Sequence, residues 1–174
     1  MSVRDTPNDQ KYFPLSGVAK DGYSKEDEAT ATCFCGAVQL AFPTSGPGLY
    51  DIFVCNCTDC RKITASMFAS NFTVDDKYLK HLRGQENLKT FAQKHSVKSG
   101  ETMTNYFCDT CGTLMYRVGD RFRGYSILRL GTIDDFNLVE EKMAPRHEQF
   151  IKDRVQWLDG VKVEGIRRNE GAGF

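Results

Sequence analysis

All seven cysteines of the chain fall into three knots: CFCG, with Cys33 and Cys35; CNCTDC, with Cys55, Cys57 and Cys60; and CDTCG, with Cys108 and Cys111. An odd number cannot pair completely as disulfides, and pairs at Cys-x-Cys and Cys-x-x-Cys spacing suit a shared metal ion better than packing as scattered small hydrophobes. The N-terminal stretch MSVRDTPNDQKYFPLSG holds no apolar run of the secretory kind. No segment approaches the roughly 18 apolar residues that a membrane span requires. The expectation is a cytoplasmic protein without membrane contact, whose thiols stay reduced.

The first and third knots have the same form: two closely spaced thiols and then at once a glycine, Gly36 or Gly112, at the end of an extended run. A cysteine pair on a tight turn aims both sulfurs at one ion, and glycine supplies the positive φ that such a turn often needs. Together Cys33, Cys35, Cys108 and Cys111 make the ligand set of a closed, tetrahedral structural zinc. Tying residues 33 and 35 to residues 108 and 111 also closes a long loop, which helps a small β-domain.

The middle knot then has three thiols and no fourth cysteine. Three protein ligands and an open position are the pattern of a catalytic zinc. Two alternatives stand beside it: one of His81, His95 or His147 closes the site, or Cys57 and Cys60 form a redox pair with Cys55 incidental. Three thiolates on a dication leave a formal charge of minus one, so the ion polarises water weakly. It remains soft enough to take a fourth sulfur, which favours thiol chemistry over hydrolysis, with a small-molecule thiol as partner.

The rest of the chain reads as mainly β. At 174 residues, one domain is the default. Residues 1–28 are polar and broken by Pro7, Pro14, Gly17 and Gly22, an arm that is mobile or laid over the surface; residues 29–174 form the domain. Short β-branched and aromatic runs at 37–42, 49–54, 67–74, 88–93, 102–107, 113–118 and 125–133 predict antiparallel strands. Helix signals are few: residues 75–82 predict a turn or two, and residues 145–158 read equally as helix or extended chain. The 23 basic residues balance 23 acidic ones, and the densest basic spots are the pairs Arg61-Lys62 and Arg167-Arg168, so no nucleic-acid partner is expected.

CFCG, CNCTDCRK, SMFASNFTV, KSGETMTNYFCDTCGTLMY, LGTIDDF and the late Trp157 together resemble the glutathione-dependent formaldehyde-activating enzyme family, which includes the centromere protein V group. The resemblance covers about residues 29 to 160. It implies a β-tent of antiparallel sheets with two zinc ions per chain: Cys33, Cys35, Cys108 and Cys111 at the structural site, and Cys55, Cys57 and Cys60 at the catalytic one. It implies a carbon–sulfur lyase whose named activity joins glutathione to formaldehyde as S-hydroxymethylglutathione. Family members often carry histidine where this chain has Asn56 and glycine where it has Ala65, both beside the open zinc position. Asn56, Arg61 and Lys62 are the candidate substrate contacts, although the arginine and lysine equally suit neutralising the zinc–thiolate cluster or facing solvent. Two further readings stand beside the formaldehyde one: a lyase of the same fold for a different thiol adduct, and a zinc-stabilised module that binds a protein and catalyses nothing. The oligomeric state is left open, a homodimer being one option.

Overall fold

The computed structural model describes residues 19–97 and 99–173. Eleven strands and two short α-helices follow in the order β1 (Glu28–Thr32), β2 (Gln39–Pro43), β3 (Leu49–Cys55), α1 (Thr58–Thr64), β4 (Ala69–Asp75), β5 (Lys80–Arg83), β6 (Leu88–Gln93), β7 (Met103–Cys108), β8 (Leu114–Gly119), β9 (Tyr125–Arg129), α2 (Phe136–Glu140), β10 (His147–Gln149) and β11 (Arg167–Asn169). They build a three-stranded sheet in the order β1-β2-β5 and an eight-stranded sheet in the order β11-β10-β3-β4-β9-β8-β7-β6. All pairings are antiparallel except those of β10, which runs parallel to both β3 and β11.

Side-chain alternation gives the large sheet two faces with different tasks. One face carries Ile52, Phe72, Leu128 and Tyr116 on directly paired positions of β3, β4, β9 and β8. These pack with Val38, Leu40 and Phe42 of the small sheet in the main core, where the Phe42 and Phe72 rings lie 4.7 Å apart. The opposite face carries Phe53, Cys55, Ala69 and Ile127, which with Cys60 and Phe150 form a second, smaller cluster. Helix α1 supplies Cys60 to that face.

The strand runs expected at 37–42, 49–54, 67–74, 88–93, 102–107, 113–118 and 125–133 correspond to β2, β3, β4, β6, β7, β8 and β9, with the last ending early at Arg129 in a 3-10 turn. Of the turn or two of helix expected over 75–82, a hydrogen-bonded turn forms over 75–79, the Tyr78 amide donating to the Asp75 carbonyl at 2.9 Å and the Leu79 amide to the Asp76 carbonyl at 3.3 Å, but no helix. Asp75 instead ends β4, its carboxylate accepts from the Lys77 amide at 2.9 Å, and residues 80–83 pair with β2 as β5. A one-turn helix is marginal alone, and the ladder along β2 offers those residues more hydrogen bonds. The ambiguous 145–158 segment resolves into β10, buried between β3 and β11, and a 3-10 turn at Ile151–Asp153. Of the arm, residues 1–18 lie outside the described residues; Asp21 pairs with Arg83, and the Tyr23 hydroxyl donates to Glu28 at 2.7 Å, which lays residues 19–28 against the small sheet.

Candidate metal and thiol site

The turn between β1 and β2 carries Cys33 and Cys35, and the turn from β7 to β8 carries Cys108 and Cys111. The four sulfurs lie within 4.8 Å of one another, with Cys33 Sγ to Cys35 Sγ 3.6 Å and Cys35 Sγ to Cys108 Sγ 3.7 Å. A tetrahedral zinc with bonds of about 2.3 Å requires sulfur–sulfur edges of about 3.8 Å, whereas a disulfide requires about 2.05 Å. The donor set therefore fits a metal ion and no disulfide. Gly36 at φ 81° and Gly112 at φ 73° take the left-handed conformation that lets each turn close behind its sulfurs. The Val38 amide donates to Cys33 Sγ at 3.2 Å.

Among the protein groups alone, the charge in this cluster is unevenly placed. Burial pushes the Cys33 thiol up to about 12. Burial also works against the Cys111 thiolate, but the hydroxyl and amide of Thr113 and the amide of Cys35 outweigh it and bring this thiol down to about 6. A bound cation would offset the burial that disfavours a thiolate here. The cluster joins the small sheet to the large one.

Cys55, Cys57 and Cys60 form the second group, with sulfurs also within 4.8 Å of one another. Cys55 is the last residue of β3; Cys57 is the N-cap of α1, its sulfur accepting from the Cys60 amide at 3.4 Å; Cys60 lies in the first turn of α1. Strand, cap and helix thus converge three sulfurs within six residues. Hydrogen bonds from Cys55 and Cys57 hold the Cys60 thiol well below its ordinary range, aided by the Arg117 and Arg129 guanidinium groups. Cys55 is pushed far up, first by its hydrogen bonds with Cys57 and Cys60 and then by burial. The redox reading of Cys57 and Cys60 needs a parallel βαβ unit, but β3 and β4, which flank α1, are antiparallel neighbours.

Among the described residues, no histidine or carboxylate joins these three sulfurs. His81 Nε2 lies 3.2 Å from the Tyr116 hydroxyl, and His147 lies against Arg167 and Asp51. His95 lines a cavity of about 410 Å³ that none of the three cysteines lines and that shares α1 and Arg117 with their group. The cavity walls are Asp59, Lys62 and Ile63 of α1, Phe91 and Gln93 of β6, Met103 and Asn105 of β7, Arg117 of β8, and His95 with Ser96 from the following turn. That turn is fastened to α1 by the Ser96 hydroxyl, which donates to Asp59 at 2.7 Å.

The polar neighbours of the knot divide. Lys62 lines the cavity, whereas Arg61 donates to the Asp153 carbonyl at 3.3 Å on the other side of α1. Asn56 is fully buried, and its side-chain amide donates to Gln149 O at 3.1 Å and Glu148 Oε1 at 3.3 Å, fastening the knot to β10. Sequence reasoning missed α1, since its N-cap is a sulfur rather than one of the usual oxygen-bearing residues. It also missed Arg117 and Arg129, which lie 57 and 69 residues beyond Cys60 in the chain and reach it only through sheet pairing.

Ala65 closes α1 in the left-handed conformation, at φ 50° and ψ 37°. A Cβ there is strained, so Ala65→Gly is expected to stabilise the protein by about 0.5–1 kcal/mol, a rise in Tm of about 1–4 °C. A fall in Tm on thermal denaturation would show that the methyl group contributes more by packing than it costs by strain.

The family model for the glutathione-dependent formaldehyde-activating enzyme matches residues 28–153. No curated protein matches in sequence. Among solved structures, the crystal structure of a Rhodobacter sphaeroides protein is similar at 22% identity and a TM-score of 0.43, over 59% of this chain and 85% of that one.

Proposed function

We propose that this chain, which belongs to the glutathione-dependent formaldehyde-activating enzyme family, is a zinc-dependent carbon–sulfur lyase that works at Cys55, Cys57 and Cys60. In this reading Cys33, Cys35, Cys108 and Cys111 hold a structural zinc, and the three-cysteine group holds a second zinc whose fourth position takes a substrate thiol, glutathione being the first choice. The observation that carries it is a group of three convergent sulfurs with no fourth protein ligand among the described residues, joined through α1 and Arg117 to a cavity of about 410 Å³. Seven free cysteines suit the reducing conditions of the cytoplasm.

When bound, zinc in such a site lowers the pKa of a coordinated thiol and presents it as a thiolate. The chain supplies the rest. Ile63, Phe91 and Met103 give the cavity an apolar lining, and Lys62 at its wall offers a cation to an acidic thiol. Asn56 and Arg61 serve the substrate from behind, by holding the knot and α1 against β10 and the turn that follows it. In the forward reaction the S–H proton leaves, sulfur bonds to the aldehyde carbon, and the carbonyl oxygen takes up a proton; the lyase direction reverses each step.

The test is the exchange of carbon-13 formaldehyde between its free and glutathione-bound forms, followed by NMR. Catalytic amounts of the zinc-loaded protein should accelerate exchange well above the uncatalysed rate, and the Cys57→Ser variant should not. Acceleration with cysteine or another thiol but not with glutathione would reassign the substrate. No acceleration with any thiol would reject the lyase reading.

A further inference from the structure

The face of the large sheet that carries Cys55 also carries a polar row across four strands: Asn71 of β4, Arg129 of β9, Arg117 of β8 and Asn105 of β7. Asn71 pairs directly with Arg129, and Asn105 pairs directly with Arg117; Arg117 and Arg129 are diagonal neighbours through Ile127. The row has more donors than the protein uses. Arg129 Nη1 donates to Asn71 Oδ1. Among the described residues, Arg129 Nε and Nη2, Arg117 Nε and Asn105 Oδ1 are buried without a hydrogen-bond partner. Groups of this kind cost about 1–3 kcal/mol each when left unpaired, so a row of them is a place where a ligand repays the fold.

Charge points the same way. The three thiolates of Cys55, Cys57 and Cys60 act on both guanidinium groups. Three thiolates, one dication and two guanidinium groups sum to plus one, and a substrate thiolate brings the centre to zero rather than to the minus two that four sulfurs and the dication alone would carry, so a carboxylate beside it is not repelled. Arg117 and Asn105 also line the cavity, where they stand side by side on its floor. The carboxylate on the wall, Asp59, is engaged by Ser96.

Resting on the thiol-binding reading above, we propose that Arg117 and Asn105 are the specificity-determining pair of this cavity. They select thiols that also carry a carboxylate over neutral and cationic thiols, Arg117 binding the carboxylate and Asn105 Oδ1 accepting an N–H or O–H from the same ligand. Arg117 lines the cavity and lies against Cys60, so one side chain connects the ligand's carboxylate to the three-cysteine centre. A neutral thiol satisfies the metal but leaves Arg117 Nε without a partner.

The test uses the full chain loaded with cobalt and titrates mercaptoacetate, 2-mercaptoethanol and cysteamine against the visible spectrum of the three-cysteine site. A charge-assisted hydrogen bond predicts that mercaptoacetate binds at least about tenfold tighter than 2-mercaptoethanol, with cysteamine weakest. Arg117→Gln should take up the same amount of cobalt and bind the first two thiols within about twofold of each other, the residue of a lost tenfold preference. Asn105→Asp guards against an Arg117→Gln variant that does not fold: its new carboxylate pairs with Arg117 in place of the ligand, and the preference should again vanish. A wild-type protein without the preference, or a preference retained in both variants, overturns the proposal and leaves the thiol site standing. A cobalt spectrum that no thiol alters overturns both.

Discussion

Cys108→Ser is expected to abolish stable folding at 37 °C, whereas Cys57→Ser is expected to leave a folded protein that is inactive. The contrast follows from what each sulfur joins. Cys108 ends β7 in the large sheet, and its partner Cys35, 73 residues away in the chain, lies in the turn of the small sheet. A metal held there clamps the two layers together across the main core. Structural zinc contributes roughly 10 kcal/mol or more in small zinc-folded peptides, and an entire domain of ordinary stability has only about 5–15 kcal/mol in hand. Cys57, by contrast, belongs to a knot whose three sulfurs lie within one strand-to-helix turn. Serine is a good N-cap, so α1 keeps the hydrogen bond from the Cys60 amide, and the expected loss of stability stays below about 1 kcal/mol. Circular dichroism melts of the two variants separate these outcomes. Two variants that unfold alike would mean that the three-cysteine knot is itself a structural clamp.

The second large effect is expected at Glu148. Its carboxylate is fully buried and accepts from Arg154 Nη1 at 2.8 Å, Asn56 Nδ2 at 3.3 Å and the Val161 amide at 3.4 Å, with Arg168 Nε at 3.5 Å. It gathers the knot, the turn after β10, the loop before β11 and β11 itself around one charge. Gly160, at φ 94°, passes so close to Glu148 and Arg154 that a Cβ would displace the Arg154 guanidinium. Removing one partner of such a pair costs about 3–5 kcal/mol, and the lower end applies here since Arg154 and Arg168 retain some access to solvent. Glu148→Ala should therefore lose about 3 kcal/mol in urea denaturation and weaken metal retention at the three-cysteine group through Asn56. Burial raises the Glu148 pKa, but the bonds from Arg154, Asn56 and Val161 outweigh it and the net shift is downward. A lowered carboxyl pKa contributes stability above the unfolded value of about 4.3, and that contribution is lost as pH falls through the folded value. The gap between wild type and Glu148→Ala should be full at pH 7 and shrink below pH ~4. A gap unchanged at acid pH would show that packing, and not charge, is what Glu148 supplies.

Much of this was legible in the chain because its signals are local. The paired spacing of Cys33 with Cys35 and of Cys108 with Cys111, each followed by a glycine at positive φ, encodes two turns that can share an ion. Short β-branched and aromatic runs bounded by turn residues marked β3, β4 and β9 as strands. What escaped is set by distant partners. The strand at Lys80–Arg83 exists because β2 offers it an edge, and His147–Gln149 is extended because β3 and β11 flank it. Arg117 and Arg129 read as ordinary alternating strand positions in the sequence; only the strand order brings them behind Cys60. Asn56 sat within the knot and read as a substrate contact, while its amide is directed to β10.

Metal content tests most directly whether the two cysteine groups hold two ions, one in a closed site and one in an open site. Protein purified without added metal should contain two zinc ions per chain, one for each sulfur group, and Cys57→Ser should retain one. A single zinc in the wild-type protein, or none, would contradict the division of seven cysteines into a structural four and a working three.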